Sequence, residues 1–215
     1  SIDTGVTKDT PVGDLVGQAA GQEHLGSDFA LDNDTVVAGA YGVSQQIYSG
    51  DFKGDIGQSF TYARTDVDAG GGVTAADTQA IVEAQRHNNG GNEFGYAVDV
   101  DAGRMLVGAP GTDADSGYED VGASVLFDVS SGVASGYTEL PLPAVSGYDP
   151  QCGYDVGVHG ATGIVACGDG TVQLYDLDSA STTYQLAPGA GEDSSGFGGW
   201  DSVAISAGYA AVAAP

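Results

Sequence analysis

Acidic side chains alternate with small residues between positions 111 and 120, in the run Gly-Thr-Asp-Ala-Asp-Ser-Gly-Tyr-Glu-Asp. Calcium takes about six to eight oxygen ligands, which alternating carboxylates supply where a glycine allows a sharp turn. The spacing therefore predicts a calcium site whose side-chain ligands are Asp113, Asp115 and Asp120. The run lacks the full ligand pattern of a dedicated calcium loop, so an acidic, solvent-exposed loop is the alternative interpretation.

Two cysteines, Cys152 and Cys167, lie on the two strands of one predicted hairpin. With its turn at Gly160-Ala161, position 152 lies opposite 169 and position 167 opposite 154, which makes the cysteines diagonal neighbours on one face. Diagonal spacing is slightly long for a disulfide, but Gly153 and Gly168 allow the strands to approach. We expect a disulfide, which fits a secreted protein; two small buried thiols are the alternative.

One further modification site is present. The tripeptide Asn33-Asp34-Thr35 matches the N-glycosylation sequence. It lies in a predicted tight turn, and such turns are exposed. The pattern predicts a glycan on Asn33, with an unmodified turn residue as the alternative.

Catalysis has little support in the sequence. The histidines, His24, His87 and His159, have no metal-ligand spacing on one element, and no serine lies in a strand-to-helix elbow. Asp99 and Asp101 are a weaker metal candidate, and their alternation along a predicted strand indicates that they face solvent. We therefore expect a protein that is not an enzyme.

The charge balance restricts the partners. The chain has 30 acidic and 5 basic residues, for a net charge of −25. Nucleic-acid binding needs basic residues to neutralise phosphates, so nucleic acid is excluded as a partner, and anionic membranes are disfavoured for the same reason. No apolar run reaches the roughly 18 residues that a membrane helix needs, so we expect no membrane insertion by this segment. Such acidity fits a solvated exterior or the binding of divalent cations.

An internal repeat organises the chain. In four gap-free segments an apolar residue lies 11 positions before a small one, at 29 and 40, 98 and 109, 156 and 167, and 203 and 214. Each segment reads as a hairpin with an alternating first strand, a turn rich in Gly, Asn, Asp and Ala, and an apolar return strand that is predicted to be buried on both faces. A third strand is predicted after each of the first three hairpins, at 58–62, 123–128 and 171–176.

Fourth strands are predicted at 138–140 and 183–186, whereas 75–86 reads as a short helix or an inserted loop. The first residues of the four segments, 29, 98, 156 and 203, are 69, 58 and 47 residues apart. Four-stranded repeats of this length are typical of β-propeller blades. A β-helix or a β-sandwich is the alternative all-β fold.

The run Phe94-Gly95-Tyr96-Ala97-Val98, followed by Val107-Gly108-Ala109-Pro110, resembles the FG-GAP repeat. Reduced copies are Leu25-Gly26 with Ala38-Gly39-Ala40, Cys152-Gly153-Tyr154 with Ala166-Cys167-Gly168, and Phe197-Gly198 with Val212-Ala213-Ala214-Pro215. The resemblance implies a β-propeller like the head of integrin α subunits. Many members carry a calcium loop between the first two strands, and here that connection is only Asp101-Ala102-Gly103-Arg104.

These observations predict an all-β chain with three nearly complete FG-GAP blades and part of a fourth, a portion of a larger propeller. Residues 1–24 are an N-terminal extension or part of a preceding blade, and 25–215 are blades whose repeats start near 25, 94, 152 and 197. Because the chain begins at Ser1 rather than Met, we expect a longer natural polypeptide.

We expect an extracellular or cell-surface protein, structural or adhesive, whose propeller assembles with copies of itself or with other proteins, on a cell surface or in a filament. The alternative is a module that binds a glycan or peptide in a cation-dependent way through loops such as 42–56 and 111–121. In both cases calcium is the only cofactor that the sequence suggests.

Overall fold

The chain folds into β-strands joined by short turns. The computed structural model describes residues 15–16, 24–32, 35–43, 45–48, 51–53, 56–63, 73–74, 91–113, 120–130, 134–142, 150–186, 197 and 202–213. The strands in these ranges are β1 (Leu15–Val16), β2 (Phe29–Leu31), β3 (Thr35–Ala40), β4 (Gln45–Tyr48), β5 (Asp51–Lys53), β6 (Gln58–Ala63), β7 (Val73–Thr74), β8 (Val98–Asp101), β9 (Arg104–Ala109), β10 (Ala123–Asp128), β11 (Ser135–Glu139), β12 (Cys152–His159), β13 (Thr162–Cys167), β14 (Val172–Asp176), β15 (Ser181–Leu186), β16 (Val203–Ser206) and β17 (Tyr209–Val212). All regular structure in these ranges is β, which confirms the predicted class, and they contain no helix that could span a membrane.

Four antiparallel sheets follow one another along the chain. The first has the order β2-β3-β6, the second β11-β10-β9-β8, the third β12-β13-β14-β15, and the fourth is the hairpin β16-β17. Two smaller pairs complete the described strands, the hairpin β4-β5 and the parallel pair of β1 with β7. Within each of the four sheets the strand order follows the chain, and in the first sheet the hairpin β4-β5 separates β3 from β6 in sequence.

The predicted hairpins are confirmed in every sheet. Each anchor pairs with the residue nine positions later: Phe29 with Ala38, Val98 with Val107, Val156 with Val165 and Val203 with Val212. The third strands also form where they were predicted, as β6, β10 and β14, and the fourth strands form as β11 and β15. The segment 75–86 lies outside the described residues.

The turns use positive backbone angles, as their composition predicts. Ala102 and Gly103 between β8 and β9 have φ values of 51° and 77°, which match the two positive angles of a type I′ turn. Gly160 and Gly208 also have positive φ, at 57° and 80°. The residues Asn33 and Asp34 of the first turn lie outside the described part of the chain.

Apolar cores lie between successive sheets. Val37 of the first sheet packs with Val98, Val107 and Phe127 of the second. Leu106 of the second sheet belongs to the core of the third. The remaining interlayer core contains Ile164 of β13 together with Val203 and Ile205 of β16, which are partly buried. The first strands β2, β8, β12 and β16 contact one another in this order.

The return strands differ in their burial. β3, β9 and β13 are almost wholly buried, as predicted for apolar strands covered on both faces. The same prediction is wrong for β17, where Tyr209, Ala210 and Ala211 are exposed. The physical reason is that, among the described residues, β17 pairs only with β16 and no apolar core covers the face that carries Tyr209 and Ala211.

Paired glycines let successive sheets approach closely. A Cβ built on Gly39 would overlap the carbonyl oxygen of Gly95, and one on Gly108 would overlap that of Gly153. Gly95 and Gly153 have φ values of 84° and 101°, which side-chain-bearing residues rarely adopt. The glycine that ends one hairpin therefore touches the glycine that begins the next, which explains why both recur in the sequence.

Candidate functional site

Aspartate side chains join the first strands of successive sheets. In three cases one carboxylate oxygen accepts the N–H of a valine on the next first strand: Asp28 from Val98 at 2.7 Å, Asp99 from Val158 at 2.6 Å, and Asp155 from Val203 at 2.7 Å. The second oxygen accepts a local N–H: Asp28 from Phe29, Asp99 from Val100 and Asp155 from Val156. Strands within one sheet are joined by backbone hydrogen bonds, whereas these first strands of different sheets are joined by the aspartate carboxylates.

Two more aspartates extend this series toward the turns. Asp32 Oδ2 accepts the N–H of Ala102 at 2.9 Å, and Asp101 Oδ2 accepts that of Gly160 at 2.7 Å. The expectation that Asp99 and Asp101 simply face solvent is therefore wrong, because both carboxylates bridge the second and third sheets. Alternation within one strand does not predict these hydrogen bonds, because they join residues far apart in sequence.

The position of these carboxylates between sheets changes their acidity. Desolvation raises the pKa of Asp155 from 3.8 to about 6, against the lowering effect of its backbone hydrogen bonds, and the charge of Asp28 adds to the increase. Desolvation likewise raises the pKa of Asp99, with further contributions from Asp28 and Asp101. The inter-sheet joints therefore hold negative charge in surroundings that favour the neutral acid.

The predicted calcium ligands are only partly within the described residues. Asp113 Oδ1 accepts the backbone N–H of Asp120 at 3.0 Å, so the main chain of a second predicted ligand residue lies beside the Asp113 carboxylate. Asp115 lies outside the described part. Among the described residues no group of three or more His, Cys, Asp and Glu is arranged to hold a metal ion. Calcium binding at Asp113, Asp115 and Asp120 stays a prediction.

The two cysteines form a disulfide, with an S–S distance of 2.00 Å. They are direct partners in the β12–β13 ladder rather than diagonal neighbours, which corrects the predicted register. The cause is a register shift between Cys152 and Asp155, where Gly153 has a φ of 101°. Two extra residues of β12, Gly153 and Tyr154, lie between these paired positions and bring the cysteines opposite each other.

The glycosylation candidate and the histidines lie apart. Asn33 is outside the described residues, so the predicted glycan stays a prediction. His24 lies beside the first sheet, and His159 Nδ1 on β12 lies 3.3 Å from Asp101 Oδ2. His87 is outside the described part of the chain. The two described histidines therefore contact different groups, the ring of Tyr41 and the carboxylate of Asp101.

A cleft of about 460 Å³ opens beside the starts of the first strands. Aromatic rings from three sheets line it in a row: the centroid of Tyr41 lies 5.2 Å from that of Tyr96, which lies 5.4 Å from that of Tyr154. His24 stacks on Tyr41 at 4.5 Å, and Asp28 also lines the cleft. We call this the tyrosine cleft. Rings of this kind offer an apolar surface and a polar tip to a ligand.

Apolar side chains are exposed at the two ends of the row of sheets. Ala30 packs against the core of the second sheet, so Phe29 and Leu31, which alternate with it on β2, point away; they are 67% and 62% exposed. At the other end Tyr209 of β17 is 82% exposed. We call the surface with Phe29 and Leu31 the first end face. The surface with Tyr209 and Ala211 is the second end face.

The sequence contained weak signals for the features it did not predict. An aspartate lies next to the anchor in three repeats, at 28, 99 and 155. A tyrosine follows the first glycine in two repeats, at 96 and 154. Asp28 and Asp155 precede their anchors and Asp99 follows its anchor, so recurrence beside the anchor was the available sign that these residues act between sheets.

Comparison with known proteins supports the fold and says nothing of activity. No protein-family model matches the chain, and no curated protein matches it in sequence. The chain is similar in structure to the computationally designed Ika4 protein, with a TM-score of 0.53 and 11% identity over 94% of this chain and 91% of that one. The designed Ika8 protein aligns with a TM-score of 0.44 and 11% identity over 81% of this chain and 39% of that one. The likeness to Ika4 concerns the fold alone.

Proposed function

We propose that this chain is an extracellular structural or adhesive protein, built from FG-GAP-type β-propeller blades, that assembles through its two end faces. Three observations support the blade arrangement. The sheets follow one another with a core between each pair, their first strands are adjacent in chain order, and aspartates bridge those strands. The paired glycines of the repeat provide the close approach that such nesting needs.

The observation that carries the function is the exposure of apolar side chains at both ends. Phe29 and Leu31 are large apolar side chains, yet both are more than half exposed. Exposed apolar surface of this kind is typical of protein–protein contacts. Because the two end faces are unlike, the association they favour is head to tail, which gives either a closed ring or an open filament.

The charge and the disulfide support the proposed location. A disulfide persists in oxidising compartments, of which the extracellular space is one. A net charge of −25 keeps the remaining surface soluble. Contacts would therefore concentrate at the two faces where apolar side chains are gathered.

The test is the molar mass of the purified chain as a function of concentration, by size-exclusion chromatography with light scattering. We expect the mass to rise above that of one chain, and Leu31→Glu or Tyr209→Glu to return it to one chain by placing charge in the contact. Thr138→Glu, on the exposed strand β11, is the matched control and should assemble as the unaltered chain does. A mass of one chain at all concentrations would refute the proposal.

A second candidate function rests on the tyrosine cleft. Three rings and Asp28 form a concave surface that suits a glycan or a peptide, and calcium at the 111–120 loop would make such binding cation dependent. A glycan and peptide array, probed with and without EDTA, tests this. Signals that Tyr96→Ser removes would support it, and an array without signals would exclude it.

A further inference from the structure

A second cleft, of about 500 Å³, opens at the outer edge of the second sheet. It lies where the turn between β8 and β9 meets strands β10 and β11, and it shares no lining residue with the tyrosine cleft. Its side chains combine a ring, a guanidinium, a carboxylate and hydroxyls: Tyr137, Arg104, Asp128, Ser130, Ser135 and Thr138. We call it the edge cleft.

A β-bulge shapes the edge cleft. Phe127 pairs with Tyr137, but Asp128 pairs with Ser135, which leaves Gly136 as an extra residue with a φ of 52°. Bulges on edge strands bend the strand and re-aim a side chain. Tyr137 is consequently 47% exposed beside the cleft, although its pairing partner Phe127 is buried.

The polar groups of the edge cleft are held in place by the protein. Arg104 Nη1 donates to the carbonyl oxygen of Gly160 at 2.7 Å, and its Nη2 forms an ion pair with Asp178. Asp128 Oδ1 accepts the N–H of Ser130 at 2.8 Å. Groups that are already fixed lose little conformational entropy when a ligand binds.

The carboxylate of Asp128 is also kept in its charged form. Hydrogen bonds from the side chain and backbone of Ser130, aided by the charge of Arg104, hold the pKa of Asp128 below its usual value. Asp128 is therefore an acceptor at neutral pH, and the guanidinium of Arg104 carries only hydrogen-bond donors. The cleft presents both kinds of hydrogen-bonding group next to an exposed ring.

We propose that the edge cleft binds a neutral saccharide. The C–H face of a pyranose ring stacks on the apolar body of Tyr137, and its hydroxyls donate to Asp128 and accept from Arg104 and the neighbouring hydroxyls. An anionic ligand is disfavoured by the net charge of −25. The edge cleft is on the second sheet, which carries neither end face, so this proposal does not rest on assembly.

The third sheet provides a natural control. Its outer strand β15 carries Tyr184, which is 70% exposed. At the position that Arg104 occupies in the second sheet, opposite an aspartate of the third strand, the third sheet has Thr162. Tyr184 is thus an exposed tyrosine without a neighbouring guanidinium at that position. A sugar that needed only a stacking ring would also bind at Tyr184, whereas one that needs the full site would bind only at the edge cleft.

The test is saturation-transfer difference NMR on the whole chain with four neutral disaccharides: maltose, cellobiose, lactose and N,N′-diacetylchitobiose. We expect transfer to ring C–H protons of at least one of them, unchanged by EDTA because the edge cleft has a single carboxylate among its side chains. Tyr137→Ser should weaken that binding about tenfold, the effect of losing one stacked ring. Arg104→Gln should weaken it too, and Tyr184→Ser should not.

Three results would overturn the proposal: no transfer to any of the four sugars, equal loss in Tyr184→Ser, or binding that Tyr137→Ser leaves intact. Transfer to tetralysine instead of the sugars, abolished by Tyr137→Ser, would assign the edge cleft to a cationic peptide and also overturn it. Tyr137→Ser is expected to fold, because the ring is half exposed, and an unchanged thermal midpoint confirms this. Sugar binding by a chain of monomeric mass would leave the inference standing while refuting assembly.

Discussion

The second and fourth sheets begin with the same hairpin pattern, but the return strand of that hairpin is buried in the second sheet and exposed in the fourth. β9 pairs with β8 and β10 and is almost wholly buried, whereas β17 pairs with β16 alone among the described strands and is mostly exposed. Both strands are apolar and both hairpins have the same register. The repeat sequence therefore sets strand pairing, and neighbouring sheets decide burial.

The comparison extends to the joints between sheets. The second sheet is joined on both sides by aspartate bridges and close glycine contacts. The fourth sheet is joined to the third by Asp155, and Ser202 lies where the first and third repeats have Asp28 and Asp155. The burial of the second sheet therefore depends on the aspartate bridges and glycine contacts that join it to its neighbours. Substitutions at these contacts test the difference between the second and the fourth sheet.

The largest effect is expected at the glycine contact between the second and third sheets. Gly108→Ala places a Cβ against the carbonyl oxygen of Gly153, and neither backbone can yield without moving a strand. We expect the free energy of unfolding, measured with urea, to fall by about 3 kcal/mol. The fourth repeat has Ala213 at the equivalent position. Gly208→Asn, in open space, is the control; equal midpoints for Gly108→Ala and the unaltered chain would contradict the joint.

The disulfide should have the next effect. Cys152 and Cys167 occupy the positions that Phe94 and Ala109 have in the second sheet, so a covalent link replaces packing. For a sequence separation of 15 residues, chain entropy gives a stabilisation of about 3 kcal/mol. Dithiothreitol should lower the thermal midpoint of the unaltered chain and leave that of the double Cys→Ala variant unchanged. An unchanged thermal midpoint of the unaltered chain in dithiothreitol would refute the stabilising role of the disulfide.

The joint between the third and fourth sheets should respond to pH. Because the pKa of Asp155 is about 6 in the folded chain and 3.8 in a model peptide, the folded state binds the proton more tightly. Stability should fall as pH rises through this window and rise again as pH falls. Asp155→Asn should remove that slope and add about 1–2 kcal/mol at pH 8.

Asp128→Asn provides the opposite case, measured by urea denaturation at pH 4 and pH 8. The pKa of Asp128 is lowered, so its contribution is present at neutral pH and is lost as pH falls. The pKa of Asp99 is also raised, so part of the pH dependence of stability should remain in the Asp155→Asn variant. An Asp155→Asn chain with the full pH dependence of the unaltered one would show that Asp155 is not the group responsible.

The smallest effect concerns a buried amide in the third sheet. Neither the oxygen nor the nitrogen of the Gln173 amide has a hydrogen-bond partner among the described residues, and the second sheet has Val125 at this position. Gln173→Met keeps the volume and removes the buried polar group, so stability should increase by about 1 kcal/mol. A decrease in the urea midpoint would indicate that the amide is paired.

Local features of the sequence predicted the strands well. Alternation along β8 and β16 and the glycines of the turns depend on neighbours within one hairpin, so they are readable from one repeat. The cysteine register was wrong because the irregularity at Gly153 and Tyr154 adds two residues to β12. A bulge of this kind has no sequence mark beyond a glycine.

Contacts between repeats could not be predicted in the same way. The carboxylates of Asp28, Asp99 and Asp155 bind N–H groups 70, 59 and 48 residues later. Their role depends on how successive sheets are placed, which hairpin patterns do not contain. The edge cleft has the same origin, since Arg104 and Tyr137 meet only after β11 folds back on β10.

The most direct test of the account mixes two blocked chains. Leu31→Glu blocks the first end face and Tyr209→Glu the second, so each variant alone should have the mass of one chain by light scattering. If unlike faces join head to tail, an equimolar mixture has one intact pair of faces and should form dimers and nothing larger. A mixture that stays monomeric, or either variant assembling alone, would contradict the account.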